Sequence, residues 1–214
     1  MTAQPVIVYG SGGFAREVAW LAEECGHPVV CFIDDDDSRT GRRVNDIPVM
    51  SCPDGARQFP GALVALGIGA PGGREAAIQK ATAHGLEAIS LVHPRVEKSR
   101  RVTFGKGVVV CAGNILTTNI AVGDYAQINL DCTIGHDAVL EEYATLAPGV
   151  HVSGYVTIGR GAYIGTGAVI INGTADRQIV IGQKAIVGAG ACVTQSVDAG
   201  VTVVGVPAKP MVRR

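Results

Sequence analysis

Apolar residues recur every six positions through more than half of the chain. Eight large aliphatic residues follow one another at this spacing from Ile128 to Ile170, and a small or β-branched residue stands two positions before each. The phase continues back to Val110 and, after one interruption, forward from Ile181 to Val193. This fixed period predicts a parallel β-helix, in which three units of a short strand and a corner form one triangular coil. A sandwich of short strands, the alternative, does not keep such a register.

The single interruption lies between Ile170 and Ile181 (181 − 170 = 11), so one six-residue unit carries five additional positions (11 − 6 = 5). These positions, within 172–178, predict a loop that projects from one corner. In an oligomer the loop either covers a groove of the neighbouring subunit or is a tolerated surface insertion. Glycines near the corners are expected to provide backbone freedom there, at Gly123, Gly135, Gly159 and Gly165.

The first 92 residues have a different pattern, in which short apolar runs alternate with apolar residues at helical spacing. Strands are predicted over 5–9, 29–33, 62–66 and 88–92, and helices over 14–25 and 74–84. The alternation favours a small Rossmann-like α/β domain with a parallel sheet. His93-Pro94 marks its exit, because the residue before a proline is disfavoured in a helix. The predicted domains are therefore residues 1–92 and residues 93–214.

A glycine-rich turn follows the first predicted strand. From Gly10 to Ala15 it matches G-x-G-x-x-G/A, and Asp34 lies about 20 residues further on, at the end of the next strand, as in the dinucleotide-binding fingerprint. The glycines allow a phosphate to approach the backbone, and the helix N-terminus attracts its charge. The motif favours nucleotide recognition, with a purely structural strand–helix turn as the alternative. A redox dinucleotide is disfavoured, because the domain is small and no hydride-transfer site is visible.

Composition and charge exclude several classes of protein. Of the 214 residues, 47% are hydrophobic and 17% charged, which disfavours disorder, and the net charge of −1 disfavours a nucleic-acid partner. No apolar run has the length of a membrane span. The six cysteines form no C-x-x-C pair, so we expect reduced thiols in a cytoplasmic protein without a disulfide framework or a bound metal.

His136 is the strongest candidate for acid–base chemistry. It follows the predicted inward residue Ile134 by two positions, so we expect it at a corner that reaches solvent or a neighbouring chain. Asp137 stands next to it and can orient the imidazole, which is the natural base near neutral pH. His151 is expected to face out of the β-helix wall and is a weaker candidate.

The repeats, the step Ile134-Gly-His-Asp137 and the segment Val204-Gly-Val-Pro-Ala-Lys209 resemble those of the hexapeptide-repeat acyltransferases. Residues 9–17 (YGSGGFARE) and Phe32-Ile-Asp-Asp35 narrow the resemblance to bacterial enzymes that acetylate nucleotide-linked 4-amino-4,6-dideoxy sugars, and to the related sialic acid O-acetyltransferases. The resemblance covers nearly the whole chain. It implies a homotrimer of left-handed β-helices that binds acetyl-CoA, as a co-substrate rather than a permanent cofactor, in a groove between subunits.

The resemblance also implies a role for individual positions. His136 aligns with the catalytic base and Asp137 with its neighbouring acid, which is Glu in many members. The implied acetyl-CoA contacts are Gly154, whose N–H binds the thioester carbonyl, Thr145 and, near the CoA tail, Ala189. The implied contacts to the acceptor are Asn129 for the sugar and, for the nucleotide, Gly12, Gly13, Phe14, Asp34, Asp35 and Gly69.

Three functions compete at this point. The first is N-acetylation of a nucleotide-linked 4-amino sugar by direct transfer, and the second is O-acetylation of sialic acid or another sugar hydroxyl. A nucleotide requirement favours the first, because a nucleotide-binding domain has no use for a free sugar. The third is a non-catalytic scaffold or a zinc protein resembling carbonic anhydrases, which needs converging histidines. Only His136 and His151 lie in the β-helix region, and their separation (151 − 136 = 15) is shorter than one full coil.

Overall fold

The computed structural model describes residues 3–211 and divides the chain into two compact units, with the division between Pro94 and Arg95. Each unit has its own architecture. The first contains three helices packed around a mixed sheet, and the second consists of short strands joined by tight corners.

The first unit is built on a six-stranded sheet. Its elements are β1 (Val6–Tyr9), α1 (Gly13–Glu24), β2 (Val29–Ile33), β3 (Arg43–Val44), β4 (Ile47–Met50), α2 (Cys52–Gln58), β5 (Leu63–Leu66), α3 (Pro71–Ala83), β6 (Glu87–Ala88) and β7 (Leu91–Val92). The sheet order is β3-β4-β2-β1-β5-β6, and every pairing is parallel except that of β3 with β4. The carboxyl ends of β2, β1 and β5 therefore lie side by side, the edge at which α/β sheets bind ligands.

The predicted strands and helices of this unit are confirmed, with two corrections. The strand predicted over 88–92 is divided into β6 and β7, because Ile89 and Ser90 leave the extended ladder. The antiparallel hairpin of β3 and β4 and the helix α2 were not predicted. Asn45 and Asp46, with φ of 45° and 62°, form the two-residue connection of that hairpin.

Close packing of α1 on the sheet explains the last position of the glycine motif. A Cβ added at Gly67, after β5, would lie 2.6 Å from the Cα of Ala15. A Cβ at Gly10, whose φ is 106°, would lie 2.9 Å from the carbonyl oxygen of Gly67. Small residues at these positions therefore let helix and strand approach each other closely, as in the fingerprint.

The second unit is a parallel β-helix with three sheets. Sheet I contains β10 (Val109–Val110), β13 (Gln127–Ile128), β16 (Thr145–Leu146), β19 (Tyr163–Ile164), β22 (Ile186–Val187), β24 (Thr202–Val204) and the antiparallel β25 (Lys209–Pro210). Sheet II contains β8 (Glu97–Lys98), β11 (Ile115–Leu116), β14 (Thr133–Ile134), β17 (His151–Val152), β20 (Val169–Ile170) and β23 (Cys192–Val193). Sheet III contains β9 (Val102–Phe104), β12 (Ile120–Val122), β15 (Val139–Leu140), β18 (Val156–Ile158) and β21 (Ile179–Ile181).

The chain visits the three sheets in turn, so each coil has a I–II corner, a II–III corner and a III–I corner. Equivalent residues pair in neighbouring coils, as Thr133 pairs with His151 (151 − 133 = 18). The aliphatic residues predicted to point inward, from Val110 to Val193, are all at most 3% exposed. Each such side chain contributes about 1.5–3 kcal/mol when it is fully buried. The six-residue prediction of the core is thus confirmed.

The expectation that the corner glycines provide backbone freedom was wrong. Gly123, Gly135, Gly159 and Gly165 are not in the positive-φ region. They are needed because successive coils stack closely: a Cβ at Gly135 would lie 2.6 Å from the backbone nitrogen of Gly154. The positive-φ residue of a corner lies two positions later, for example Asp137 with φ 57°.

No helix within residues 3–211 combines the length and the apolar character that crossing a bilayer requires.

Candidate active site

The II–III corner brings three of the predicted residues together. His136 Nδ1 lies 2.8 Å from the Oδ2 atom of Asp137. Gly154 lies one coil further along, since 154 − 136 = 18, and a Cβ added to it would come within 2.6 Å of both Cε1 and Nε2 of His136. The imidazole therefore lies directly over the Gly154 backbone, and its side chain is still 54% exposed. Within the described chain, the Gly154 N–H donates no hydrogen bond.

The short Asp137 side chain reaches the imidazole despite its length. Hydrogen bonds from His136 and then from Asn119 are the main causes that hold the pKa of Asp137 below its usual value, so it stays ionised. An ionised carboxylate at Nδ1 requires that this nitrogen carry the proton. The Nε2 atom, on the ring edge that faces Gly154, then has the free lone pair that a general base needs.

Two further residues surround this pair, and the sequence analysis missed both. Asn119 Nδ2 lies 3.2 Å from the Oδ1 atom of Asp137. The ring of Tyr155 meets the imidazole of His136 edge-on, with centroids 5.1 Å apart and an interplanar angle of 88°. Asn119 lies one coil before Asp137 and Tyr155 one coil after it (137 − 119 = 18 and 155 − 137 = 18), and that spacing is the signal that could have found them.

Other predicted residues of the β-helix lie elsewhere in the same chain. Asn129 and the exposed Ala189 lie at the I–II corner. Asn129 Oδ1 accepts a hydrogen bond from the N–H of Leu130 at 3.0 Å. Thr145, on β16 in sheet I, is only 3% exposed, so the single chain does not present it to a ligand.

The inserted loop lies on the same corner as His136. The N–H of Gly173 donates to the carbonyl of Gly154 at 3.0 Å, and residues 174–177 close a turn through hydrogen bonds between Thr174 and Arg177. Together with residues 194–196, the loop borders a cavity of about 460 Å³. This cavity therefore lies along the line that His136 and Gly154 define from coil to coil.

In the first unit, the glycine turn leaves an open helix N-terminus. Gly12 and Gly13 are exposed, and Phe14 is half-buried. A Cβ added at Gly12 would meet nothing within 4 Å. Among the described residues, no side chain caps α1, so its first N–H groups face open space. Such a terminus suits a phosphate group.

The two predicted carboxylates of this unit are already engaged. Asp34 accepts a hydrogen bond from the Ser11 hydroxyl, and Arg39 lies 3.5 Å from its Oδ2 atom. Asp35 accepts from the Tyr9 hydroxyl at 2.9 Å and from Lys80 at 2.7 Å. Burial opposes ionisation of Asp35, but the bonds from Lys80 and Tyr9 outweigh it and lower its pKa. A nucleotide hydroxyl must therefore compete with these partners or extend their network.

The sequence analysis also missed two roles of arginine side chains in the first unit. The side chain of Arg74 is fully buried, and its Nη1 donates to the carbonyls of Ile68 and Gly69 at 3.2 and 2.8 Å. This contact fixes the loop after β5 that contains the predicted Gly69. Separately, three arginines border a cavity of about 360 Å³ next to the glycine turn: Arg39, Arg42 and Arg43.

The cysteines and histidines offer little for covalent or metal chemistry. Burial raises the pKa of Cys132 to about 11, and its thiol donates to the carbonyl of Ala147 at 3.3 Å, so it is a poor nucleophile. His151 Nδ1 lies 2.8 Å from the Thr133 hydroxyl on sheet II, away from the II–III corner. In residues 3–211, no group of three or more His, Cys, Asp or Glu side chains is placed to hold a metal ion.

Two family models match parts of the chain. That of the PglD N-terminal domain matches residues 5–81, and that of the bacterial transferase hexapeptide (six repeats) matches residues 137–172. These segments correspond to most of the α/β unit and to the coils that contain Asp137, Gly154 and Tyr155.

Full-length relatives agree with both matches. The GDP-perosamine N-acetyltransferase of Escherichia coli O157:H7 is 34% identical over 218 residues, which cover 96% of each chain. WeeI from Acinetobacter baumannii AYE has a TM-score of 0.92 at 36% identity, covering 98% of this chain and 100% of WeeI. PerB from Caulobacter crescentus, in complex with CoA and GDP-perosamine, has a TM-score of 0.87 at 31% identity, covering 97% of each chain. The chain therefore belongs to the hexapeptide-repeat acyltransferases, in the branch of the nucleotide-linked amino-sugar N-acetyltransferases.

Proposed function

We propose that the protein transfers the acetyl group of acetyl-CoA to the C4 amine of a nucleoside-diphosphate 4-amino-4,6-dideoxy sugar, with His136 as the general base. The observation that carries this proposal is the II–III corner. There an exposed imidazole, oriented by Asp137, presents Nε2 next to the free N–H of Gly154. A base and an oxyanion donor side by side are what acyl transfer to a neutral amine requires.

The proposed reaction is a direct transfer. The neutral amine attacks the acetyl carbonyl carbon, and His136 Nε2 takes a proton from the nitrogen as the C–N bond forms. The Gly154 N–H donates to the carbonyl oxygen as it becomes negative, a contact worth about 3 kcal/mol in other acyl-transfer enzymes. The C–S bond then breaks, and the imidazolium returns the proton to the CoA sulfur. Asp137 stabilises the imidazolium between these two proton transfers.

The first unit supplies the features that support a nucleotide acceptor. The uncapped N-terminus of α1 and the three arginines of the neighbouring cavity favour the diphosphate. We assign Gly12, Gly13 and Phe14 to the phosphate and sugar contacts, and Asp34, Asp35 and Gly69 to the nucleoside. The relatives from Escherichia coli and Caulobacter crescentus, named for or bound to GDP-perosamine, support a sugar of this class.

A cyclic homotrimer in the cytoplasm completes the proposal. Asn129 and Ala189 lie at a different corner from His136 and Gly154, so a ligand that contacts both corners needs a neighbouring subunit. We assign Ala189, with Gly154, to acetyl-CoA and Asn129 to the sugar, whereas the burial of Thr145 speaks against a CoA contact there. The free thiols of all six cysteines support a reducing compartment.

The test is the release of CoA thiol from acetyl-CoA in the presence of UDP-, dTDP- and GDP-linked 4-amino-4,6-dideoxy sugars. Turnover is expected with at least one of them, and mass spectrometry is expected to show the product about 42 Da heavier, the mass of an acetyl group replacing a hydrogen. His136→Ala should lower kcat by at least about 100-fold, the lower range of general-base contributions, while CoA still binds. His151→Ala, on sheet II, serves as the control and should keep normal kcat.

Near-normal kcat in His136→Ala would show that this residue is not the base. Two other acceptors test the O-acetyl alternative: the matching 4-hydroxy nucleotide sugars and free sialic acid. Turnover with these acceptors alone, without any amino sugar being used, would replace the proposed function by O-acetylation.

A further inference from the structure

At one equivalent position of the II–III corner, three consecutive coils carry three chemically different side chains. Asn119, Asp137 and Tyr155 follow one another at a spacing of one full coil, and their φ angles of 54°, 57° and 56° show the same positive-φ backbone conformation. Equal backbone conformations at equivalent positions direct the three side chains along one column parallel to the coil axis. We call these three residues the corner column.

The corner column surrounds the proposed base from two sides. Asp137 accepts from His136 at Oδ2, 2.8 Å away, and from Asn119 at Oδ1, 3.2 Å away. A side-chain hydrogen bond with Tyr155 is a further, smaller cause of its lowered pKa. Tyr155 places its ring edge-on against the imidazole, and its backbone N–H donates to the carbonyl of His136 at 3.0 Å. Both the carboxylate and the imidazole are thereby fixed by residues of other coils.

His136 and Asp137 need this support from other coils because both side chains are accessible to solvent. The side chains of His136 and Asp137 are 54% and 32% exposed, and neighbouring side chains at such exposure can rotate away from each other. A single hydrogen bond between exposed groups contributes little against that loss of rotamer freedom. The amide of Asn119 holds the plane of the carboxylate, and the ring of Tyr155 blocks one side of the imidazole.

We propose that Asn119 and Tyr155 are positioning residues for the acetyl transfer: Asn119 orients the Asp137 carboxylate, and Tyr155 holds the His136 ring with Nε2 towards Gly154. The inference rests on the proposed function and adds two residues to its machinery. Neither residue needs to touch a substrate. Their effect should therefore appear in kcat and in its pH dependence rather than in KM.

Positive-φ residues at corners outside the proposed site can be compared with the corner column. At the III–I corner, Tyr125 and Tyr143 stack on each other with centroids 5.1 Å apart, and Lys184 has a φ of 56°. Asparagine tolerates this conformation better than most residues, so Asn119 could serve only the turn. A purely structural role would change the free energy of unfolding and leave the chemistry unchanged.

Asn119→Gly is the informative variant, because glycine keeps the positive-φ backbone without strain and removes only the amide. We expect kcat to fall about 10-fold, part of the roughly 10²–10⁴-fold that a positioned base provides, with KM for both substrates within about twofold. Tyr155→Phe keeps the ring but removes the hydroxyl that hydrogen-bonds with Asp137, so it should lose less of kcat than Tyr155→Gly. Tyr155→Gly removes the ring and should lose about as much as Asn119→Gly.

Asn119→Asp supplies a readout that a structural role would not change. It puts a second carboxylate next to Asp137, which favours the protonated imidazole, so the acid limb of kcat/KM should move to higher pH. The titratable groups in contact with the imidazole are Asp137 and Tyr155. Along the same corner the other charged groups are Arg100 and Arg101, in the coil before Asn119, and the loop residues Asp176 and Arg177.

Lys184→Gly is the matched control, since it makes the same kind of change at a corner outside the site. Both glycine variants should show similar changes in the free energy of unfolding by urea, but only Asn119→Gly should lose kcat. Equal kcat and equal pH profiles in Asn119→Gly, Asn119→Asp and wild type would overturn the inference. Failure of the proposed function is distinct, because then wild type itself would transfer no acetyl group to any amino sugar of the panel.

Discussion

The side chain of His136 explains why position 154 is a glycine. Its backbone is outside the positive-φ region that favours glycine, so conformation alone would admit alanine. The obstacle is the imidazole of His136, with Cε1 and Nε2 both 2.6 Å from the position of an added Cβ. An added Cβ and the imidazole cannot occupy the same space, so one of these two groups must move.

We therefore predict that Gly154→Ala displaces the imidazole rather than the backbone. Because Nε2 would leave its place next to the proposed oxyanion donor, kcat should fall about 100-fold, within the range of general-base contributions. Steady-state kinetics measures this loss. The midpoint of thermal unfolding should change little, since the 54% exposed imidazole can move into solvent.

A double variant separates this mechanism from damage to the oxyanion donor. If Gly154→Ala acts through His136, adding it to His136→Ala should cause little further loss, because the two effects are coupled. Fully additive losses would show that the alanine disturbs acetyl-CoA itself. That result would rule out displacement of the imidazole as the reason why glycine is needed at this position.

The sequence pointed to some residues of the proposed site and not to others, for a physical reason. The Gly-His-Asp step indicated His136 and Asp137, because both lie in one short segment and carry recognisable chemistry. Asn119 and Tyr155 were missed because an asparagine and a tyrosine at corners have no chemical signature of their own. Their proposed role depends on which residue lies one coil away, so the 18-residue spacing had to be counted from His136 and Asp137 to find them.

At the scale of the elements, regular repetition determined what could be predicted. The stacked strands of the β-helix repeat every six residues, so their inward residues could be named individually. The β3–β4 hairpin and α2 have only two to seven residues per element, and their periods are too short to stand out. The backbone role of the corner glycines was misjudged, because the distance between stacked coils is not visible in one repeat. The hand of the coil stays the prediction that the family resemblance implies.

The inserted loop is the element whose role a deletion can decide. Removing residues 174–178 restores the six-residue spacing and keeps Gly173, whose N–H bonds to the carbonyl of Gly154. The two backbone hydrogen bonds between Thr174 and Arg177 are internal to the loop, so the coils should remain folded by circular dichroism. Because the loop borders the cavity on the corner of His136, we predict a higher KM for acetyl-CoA, by about 10-fold, or 1.4 kcal/mol.

The KM for the amino sugar should stay unchanged in this deletion and serves as the internal control. If the KM for acetyl-CoA also stays unchanged, the loop is a tolerated surface insertion. That outcome would leave the proposed base and oxyanion donor unaffected, because neither belongs to residues 174–178.

At the scale of the whole molecule, the assigned residues of the β-helix fall on two corners of one chain. Asn129 and Ala189 lie at the I–II corner, and His136 and Gly154 lie at the II–III corner. One side of the triangle has about six residues, so these corners are separated by roughly 20 Å at about 3.3 Å per residue. Cyclic symmetry can bring the I–II corner of one copy next to the II–III corner of another. The proposed site would then be complete only in the assembly.

Subunit mixing tests this arrangement. His136→Ala damages the II–III corner alone, and Ala189→Trp fills the I–II corner alone, so in the proposed trimer each variant by itself should be nearly inactive. In mixed trimers assembled at random, about one quarter of the sites should combine two intact corners and recover activity in the thiol-release assay. Mixing His136→Ala with His136→Asn, which damage the same corner, should recover none. If differently tagged subunits of the first pair form trimers of three times the 22.0 kDa chain mass without any recovery, each chain must hold its site alone.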